Sequence, residues 1–251
     1  MQARCALVTG GAVRVGRAIS LALGEAGYDV AVHYASSAMA AAEVEAAVLE
    51  CGRRAVKLQA DLMDPEEAEG LVTRAIDELG RLDLLVNNAA IFPHAQPEEV
   101  SPEDWDRVFA LNARAPFFCS RAAARVMPDA GGCIVNIADS GAGEGWPGYA
   151  PYVASKAALV SLTRSLARAW APRIRVNAVA PGPVLLPESY DQEAREKAAA
   201  RTALGRLGRA GDVAEAVLYL DRAKYVTGEV LFVDGGARLV QRRRPAHHWP
   251  G

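Results

Sequence analysis

The chain has no excess of charge of either sign: 28 Lys and Arg stand against 30 Asp and Glu, a formal net of −2 over 251 residues. That balance argues against a nucleic-acid surface or an anionic membrane as partner. It has no Cys-x-x-Cys pair either. Cys5, Cys51, Cys119 and Cys133 are scattered, and read as small apolar side chains in a reducing compartment. No apolar run approaches the roughly 20 residues that a spanning helix needs. No basic segment followed by an apolar one precedes the first strand expected near Cys5, which makes the cytoplasm the expected location. Internal repeats and long linkers are lacking as well, so a single domain is expected over 1–240 with a short tail over 241–251. The tail holds Arg242-Arg243-Arg244 and His247-His248, and with no further ligands nearby it is expected to be solvated and no metal site is assigned.

What is present is an alternation. Short apolar runs at Cys5–Val8, Tyr28–Tyr34, Ala55–Gln59, Leu82–Val86, Ile134–Ile137, Ile174–Val179 and Val230–Val233 are separated by helical segments. These include Ala38–Glu50, Pro65–Leu79, a long helix after Ser101-Pro102 reaching about Met127, and Asp212–Leu220. Half the residues (51%) are apolar, enough for a large core. The pattern predicts an α/β fold: a single-domain, Rossmann-type, doubly wound parallel sheet with helices on both faces.

The first strand runs into Thr9-Gly10-Gly11-Ala12-Val13-Arg14-Val15-Gly16 and then a helix. Strand, glycine turn and helix present backbone N–H groups and a positive helix end to a pyrophosphate. The second strand ends His33-Tyr34-Ala35-Ser36-Ser37 and lacks the acid that normally binds the ribose hydroxyls of a cofactor without a 2′-phosphate. That absence favours NADP(H) over NADH, with His33, Ser36, Ser37 and Arg14 as donors to the extra phosphate.

The stretch from Ile134 to Lys156 carries the chemistry. A buried-strand signal breaks into a glycine-rich loop and re-enters order on a helix bearing Tyr152 and Lys156. Residues four apart share a helix face. A cation beside a phenol favours the phenolate, which makes the pair a tunable proton donor and acceptor. Asp139 stands thirteen residues before Tyr152, and Asn112 lies upstream.

These motifs, recurring in order from Ala6 to Gly236, resemble the short-chain dehydrogenase/reductase family, whose catalytic set is Asn, Ser, Tyr and Lys. The resemblance implies roles for Asn112 (holding a water that relays protons), Tyr152 and Lys156, with Asp139 at the serine position and Ser140 beside it. It also implies a cofactor cleft built from Thr9, Gly10, Arg14, Val15, Gly16, Tyr34, Asp61, Leu62, Asn88, Ala89, Tyr152, Lys156, Pro181 and Gly182. Within it Pro181-Gly182 lie against the nicotinamide, and Asp61 either receives the adenine amino group or caps a turn. Asn87 is expected to brace the sheet. The polar segment over about 184–206 reads as a lid with one helix.

The departures from the family pattern point to one branch. Arg14 replaces the middle glycine of the turn, the second strand ends in His33-Tyr34, Phe92 follows Asn87-Asn88-Ala89, and Asp139 replaces serine. All are similar to pteridine reductases. In that branch the arginine lies by cofactor phosphates and substrate, the phenylalanine stacks the pterin, and the aspartate shares proton delivery with the tyrosine. Arg14, Phe92, Asp139 and Tyr152 are therefore the expected substrate contacts, although Phe92 could instead pack on the core. The expected activity is NADPH-dependent reduction of a dihydropterin or dihydrofolate. A ketone or 3-oxoacyl thioester reductase using Ser140, and a non-catalytic NADP(H) sensor, are the alternatives. Relatives in the family are commonly tetramers. The small residues Ala154, Ala157, Ala158, Ser161, Ser165 and Ala169, with an edge strand bearing Leu231 and Val233, lead to an expected homotetramer.

Overall fold

A computed structural model of the chain describes residues 3–186 and 190–240. The basic and histidine motifs of the 241–251 tail and residues 187–189 of the expected lid lie outside them. The apolar runs form seven parallel strands: β1 (Cys5–Val8), β2 (Asp29–Tyr34), β3 (Ala55–Gln59), β4 (Leu84–Asn87), β5 (Gly132–Ile137), β6 (Ile174–Pro181) and β7 (Val230–Val233). Their order is β3-β2-β1-β4-β5-β6-β7. β7 is thus an edge strand, as expected. Chain order reverses direction between β1 and β4, and open sheets of this kind bind ligands outside the strand carboxyl ends at that crevice.

Both sheet faces are covered, which is why the strands are apolar throughout rather than alternating. Ala6, Val8, Val30 and Val86 pack with Ile19 and Leu23 of α1 (Arg14–Glu25), Val44 and Val48 of α2 (Ala38–Glu50), and Val213 and Val217 of α8 (Ala210–Arg222). The intervening Leu7, Leu85 and Ile134 face the other way. They meet Leu71 of α3 (Pro65–Leu79), Cys119 of α5 (Ala115–Val126) and Leu166 of α6 (Ala150–Trp170). Leu85 is fully buried, and cutting such a leucine back to alanine costs about 2–5 kcal/mol.

Local chemistry sets the helix ends. Asp64 caps α3 by accepting from Glu66 N at 2.8 Å, Pro65 takes the first helical position, and Gly80 closes the helix at φ 84°. The long helix expected to Met127 is interrupted. α4 (Pro102–Phe109) passes into a π-helical turn over Ala110–Arg114 before α5 resumes. Pro116 explains this: it has no N–H to donate to the carbonyl four residues back, that of Asn112, so the regular ladder breaks there. The segment expected to form a lid contains α7 (Gln192–Ala199).

Candidate active site

The glycine turn is built by a set of mutual supports. Thr9 is buried, and its Oγ1 accepts from Asn88 N at 2.9 Å and Ala89 N at 3.0 Å. The Asn88 side-chain amide donates to Thr9 O and Gly10 O. A Cβ on Gly16 would lie 2.0 Å from Gly10 O, so only glycine lets α1 close on the turn. α1 begins with no side-chain cap and no acid in its first turn. Its first N–H groups and positive helix end are left for an anion, which fits a cofactor pyrophosphate.

Two expected cofactor contacts are corrected here. His33 is buried, its Nδ1 accepting from Gly10 N at 2.9 Å while Nε2 lies 3.1 Å from Ala60 O. Those bonds define a neutral ring with its proton on Nε2, and burial lowers its pKa to about 4. It has no donor left for a phosphate; it braces the turn. Thr9 likewise builds the turn from behind, its hydroxyl engaged by the strand-four backbone. At the end of β2, Ser36 is exposed and Ser37 precedes α2 without a side-chain cap bond. Tyr34 packs partly against the core, and the Leu62 side chain is within it. Asp61 is exposed and Oδ1 accepts from Met63 N at 2.9 Å, which makes it a turn former rather than the α3 cap.

Arg14 adopts a left-handed φ of 52°, alone among the described non-glycine residues. Its Nη2 donates to Leu185 O at 2.9 Å, just past the end of β6. On the β6 side, Gly182 leaves no space for a Cβ, which would lie 2.7 Å from Asp234 Cα. Pro181 closes the strand, paired with Val233.

At the end of β5 the chemistry-bearing side chains converge. The Tyr152 hydroxyl donates to Asp139 Oδ2 at 2.7 Å, and Asp139 Oδ1 accepts from Gly141 N at 2.7 Å. Lys156 Nζ is buried, donates to Ile137 O at 2.8 Å and sits 5.8 Å from the Tyr152 ring centroid. Burial raises the Asp139 pKa against the opposing pull of Gly141 N–H, Tyr152 and Lys156. Burial and then the Asp139 carboxylate hold Tyr152 well above its usual range. Burial lowers Lys156 to about 8, with Asp139 opposing. The expectation that Lys156 depresses the tyrosine is therefore corrected: the group bonded to the phenol is the Asp139 carboxyl, and burial and that carboxyl both favour the neutral phenol.

Asn112 is fully buried. Its Oδ1 accepts from Ile91 N at 2.9 Å, and its Nδ2 donates to Ile91 O at 3.0 Å and Ser155 Oγ at 3.1 Å. Ser155 in turn donates to Tyr152 O. The side-chain amide is a clamp between the loop after β4 and α6. Asn87 braces the sheet as expected, donating to Ser120 Oγ and Asn136 Oδ1.

Phe92 is exposed and lies edge-to-face with Tyr152 at 4.5 Å between ring centroids. Tyr149, on the short 3₁₀ turn Pro147–Tyr149, stacks on Phe92 at 4.2 Å with the rings 6° from parallel. Sequence reasoning passed over Tyr149, which lies just ahead of α6 and so outside the helical spacing that marks Tyr152 and Lys156.

A family model described as enoyl-(acyl carrier protein) reductase matches residues 11–238. A 3-oxoacyl-[acyl-carrier-protein] reductase, FabG, of Staphylococcus aureus is 36% identical over 239 residues, covering 93% of this chain and 97% of the relative. Among solved structures, FolM alternative dihydrofolate reductase 1 from Brucella canis, complexed with NADP, superposes at a TM-score of 0.92. It is 35% identical and 98% of each chain is covered. The angucycline C-6 ketoreductase LanV with bound NADP gives a TM-score of 0.89 and 38% identity, with 94% of this chain and 96% of that one covered. The chain belongs to the short-chain dehydrogenase/reductase family.

Proposed function

We propose that this oxidoreductase reduces a conjugated C=N bond in a pterin-like substrate, a dihydropterin or dihydrofolate. The cofactor is NADP(H), consistent with the uncapped α1 start and the lack of an acid after β2. When bound it supplies the hydride. Arg14, the first-turn N–H groups of α1, Ser36 and Ser37 would hold its phosphates, and Lys156 its ribose. Val15, Gly16, Asp61, Asn88, Ala89, Pro181 and Gly182 would line the same cleft.

The observation that carries the proposal is the 2.7 Å bond between Tyr152 Oη and Asp139 Oδ2. Reduction of C=N adds hydride to carbon and a proton to nitrogen. Tyr152 gives that proton, and Asp139, pushed toward its protonated form by burial, restores it. A serine at this position would orient a carbonyl oxygen but has no acidic proton at neutral pH. Phe92 offers a face to the flat ring, and the similarity to FolM supports the substrate class. NADPH oxidation by the purified protein with a panel of dihydropterins and dihydrofolate tests this: turnover is expected, and NADPH binding without turnover of any of them sinks it.

A ketone or 3-oxoacyl thioester substrate is the second reading, favoured by the FabG and LanV relatives. Ser140, half-buried beside Asp139, would then orient the carbonyl.

A further inference from the structure

Asp139 and α6 are joined by the loop Ser140-Gly141-Ala142-Gly143-Glu144-Gly145-Trp146 and the short turn after it. Glycines at 141, 143 and 145 make such a loop costly to order, yet it starts at the Asp139 carboxyl and leads to Tyr152. Trp146 folds back across it. Its ring is seated on the buried Gly141, where a Cβ would lie 2.4 Å from it, and Nε1 donates to Glu144 Oε2 at 2.9 Å. Its carbonyl accepts from Tyr149 N at 3.0 Å, in the 3₁₀ turn that enters α6. One side chain and its backbone thus tie the start of the loop, its middle and the helix entry together.

Gly141 is also the residue whose N–H holds Asp139 Oδ1 at 2.7 Å, and Ala142 N closes the same turn on Asp139 O at 3.0 Å. With Oδ1 fixed, Oδ2 is aimed at the Tyr152 hydroxyl. We propose that Trp146 is a positioning residue for proton delivery: by bearing on Gly141 it keeps Asp139 Oδ1 tied to the loop and Oδ2 on Tyr152. The proposal rests on the role given to Asp139 in the function proposed above. Trp146 itself makes and breaks no bond. Its hold on Glu144 has a second consequence. The groups facing Asp139 are Tyr152 and Lys156 of α6, and the Gly141 N–H and Glu144 of the loop. Burial raises the Asp139 pKa most; Gly141 N–H, Tyr152 and Lys156 pull it down, and the Glu144 charge pushes it back up. Tethered through Nε1, Glu144 helps keep Asp139 in the protonated form that resupplies Tyr152.

The test measures dihydropterin reduction by NADPH in wild type, Trp146→Leu, Asp139→Ser and the double variant, with NADPH affinity as the check on folding. Gly141→Ala, whose methyl drives the ring off its seat, replaces Trp146→Leu if that variant does not fold. In Trp146→Leu kcat should fall by about tenfold, within the range of up to about 10²-fold for a catalytic group displaced by about 1 Å, and KM should hold. On top of Asp139→Ser the same substitution should cost nothing further, because its target is gone. Independently of turnover, the Gly141 amide proton is followed by NMR through a pH titration of the NADP+ complex. Its shift should track the Asp139 carboxyl in wild type and cease to do so in Trp146→Leu. Glu144→Gln keeps an acceptor for Nε1 but removes the charge, and should move the midpoint to lower pH; an unmoved midpoint contradicts the tether. Losses that multiply in full in the double variant overturn the proposal. So does a Gly141 amide that ignores Asp139 in wild type, or tracks it equally in Trp146→Leu. Wild-type protein that leaves the dihydropterin unreduced removes the substrate assignment, and the amide titration then decides the positioning.

Discussion

Tyr152 Oη is bonded to Asp139 Oδ2 at 2.7 Å, while the Lys156 ammonium turns instead to Ile137 O. The proton donor of the site is therefore held neutral first by burial and then by the neighbouring carboxyl group. Tyr152→Phe removes the hydroxyl but keeps the ring against Phe92. Turnover should fall by about 10²–10⁴, the range for a positioned acid, with NADPH affinity unchanged. Unchanged turnover would remove Tyr152 from proton delivery, and a protein with no turnover before or after the substitution would fit a cofactor sensor.

His33 gives a signature in folding stability. Its folded pKa of about 4 lies below the unfolded value of 6.5, so below 6.5 the unfolded chain binds a proton that the folded one refuses. Stability from this group is complete above pH 6.5 and is lost as pH falls toward 4, by on the order of 3 kcal/mol. His33→Gln should flatten that limb of a denaturation series relative to wild type. Parallel curves for the two proteins would mean that the ring is protonated in the fold.

Arg14 pairs a left-handed backbone with a contact to Leu185 O. Arg14→Gly relieves the backbone and Arg14→Ala does not, so the glycine variant should be the more stable by on the order of 1 kcal/mol. Both lose the guanidinium and should raise the KM for NADPH several-fold. An alanine variant at least as stable as the glycine one would contradict the left-handed assignment.

These results show where sequence reasoning reaches. Strand positions were legible because both faces of a parallel sheet are covered, giving runs such as Leu84–Val86 that resist other assignments. Tyr152 and Lys156 were legible only in context: the helical spacing alone is common by chance, and Asp139 thirteen residues earlier, Asn112 upstream and the family resemblance singled the pair out. His33 was misplaced because the end of a strand does not reveal which way its side chain points; the ring turned inward to Gly10 and Ala60. The π-turn at Asn112 depends on a missing N–H at Pro116, a single-atom effect inside an otherwise helical pattern. The Phe92–Tyr149 pair joins residues 57 positions apart (149 − 92), and no local pattern connects them.

The expected assembly rests on two exposed features. Ala157, Ser161, Ser165 and Ala169 form an exposed stripe of small residues along α6, with Ala154 and Ala158 half-buried, and on the edge strand β7 it is Phe232 that is exposed while the expected Leu231 and Val233 pack against the core. Small residues allow close helix approach, and an open edge carries unpaired backbone groups. We propose a homotetramer with two-fold contacts through these elements. Light scattering at micromolar concentration should give about four times the 26.6 kDa chain mass; a monomer throughout would contradict it.

The central claim is that Asp139 and Tyr152 together deliver a proton to a C=N substrate, and Asp139→Ser tests it most directly. With NADPH as reductant, rates are measured for dihydrobiopterin and for a 3-oxoacyl thioester, in wild type and variant. Loss of the buried carboxyl should lower dihydropterin turnover by about tenfold or more while thioester reduction holds or improves. Its folded pKa is raised, so in wild type stability falls as pH climbs through the interval above the unfolded carboxyl value, and the variant should lack that loss. A variant that keeps dihydropterin turnover and loses thioester reduction would contradict the account.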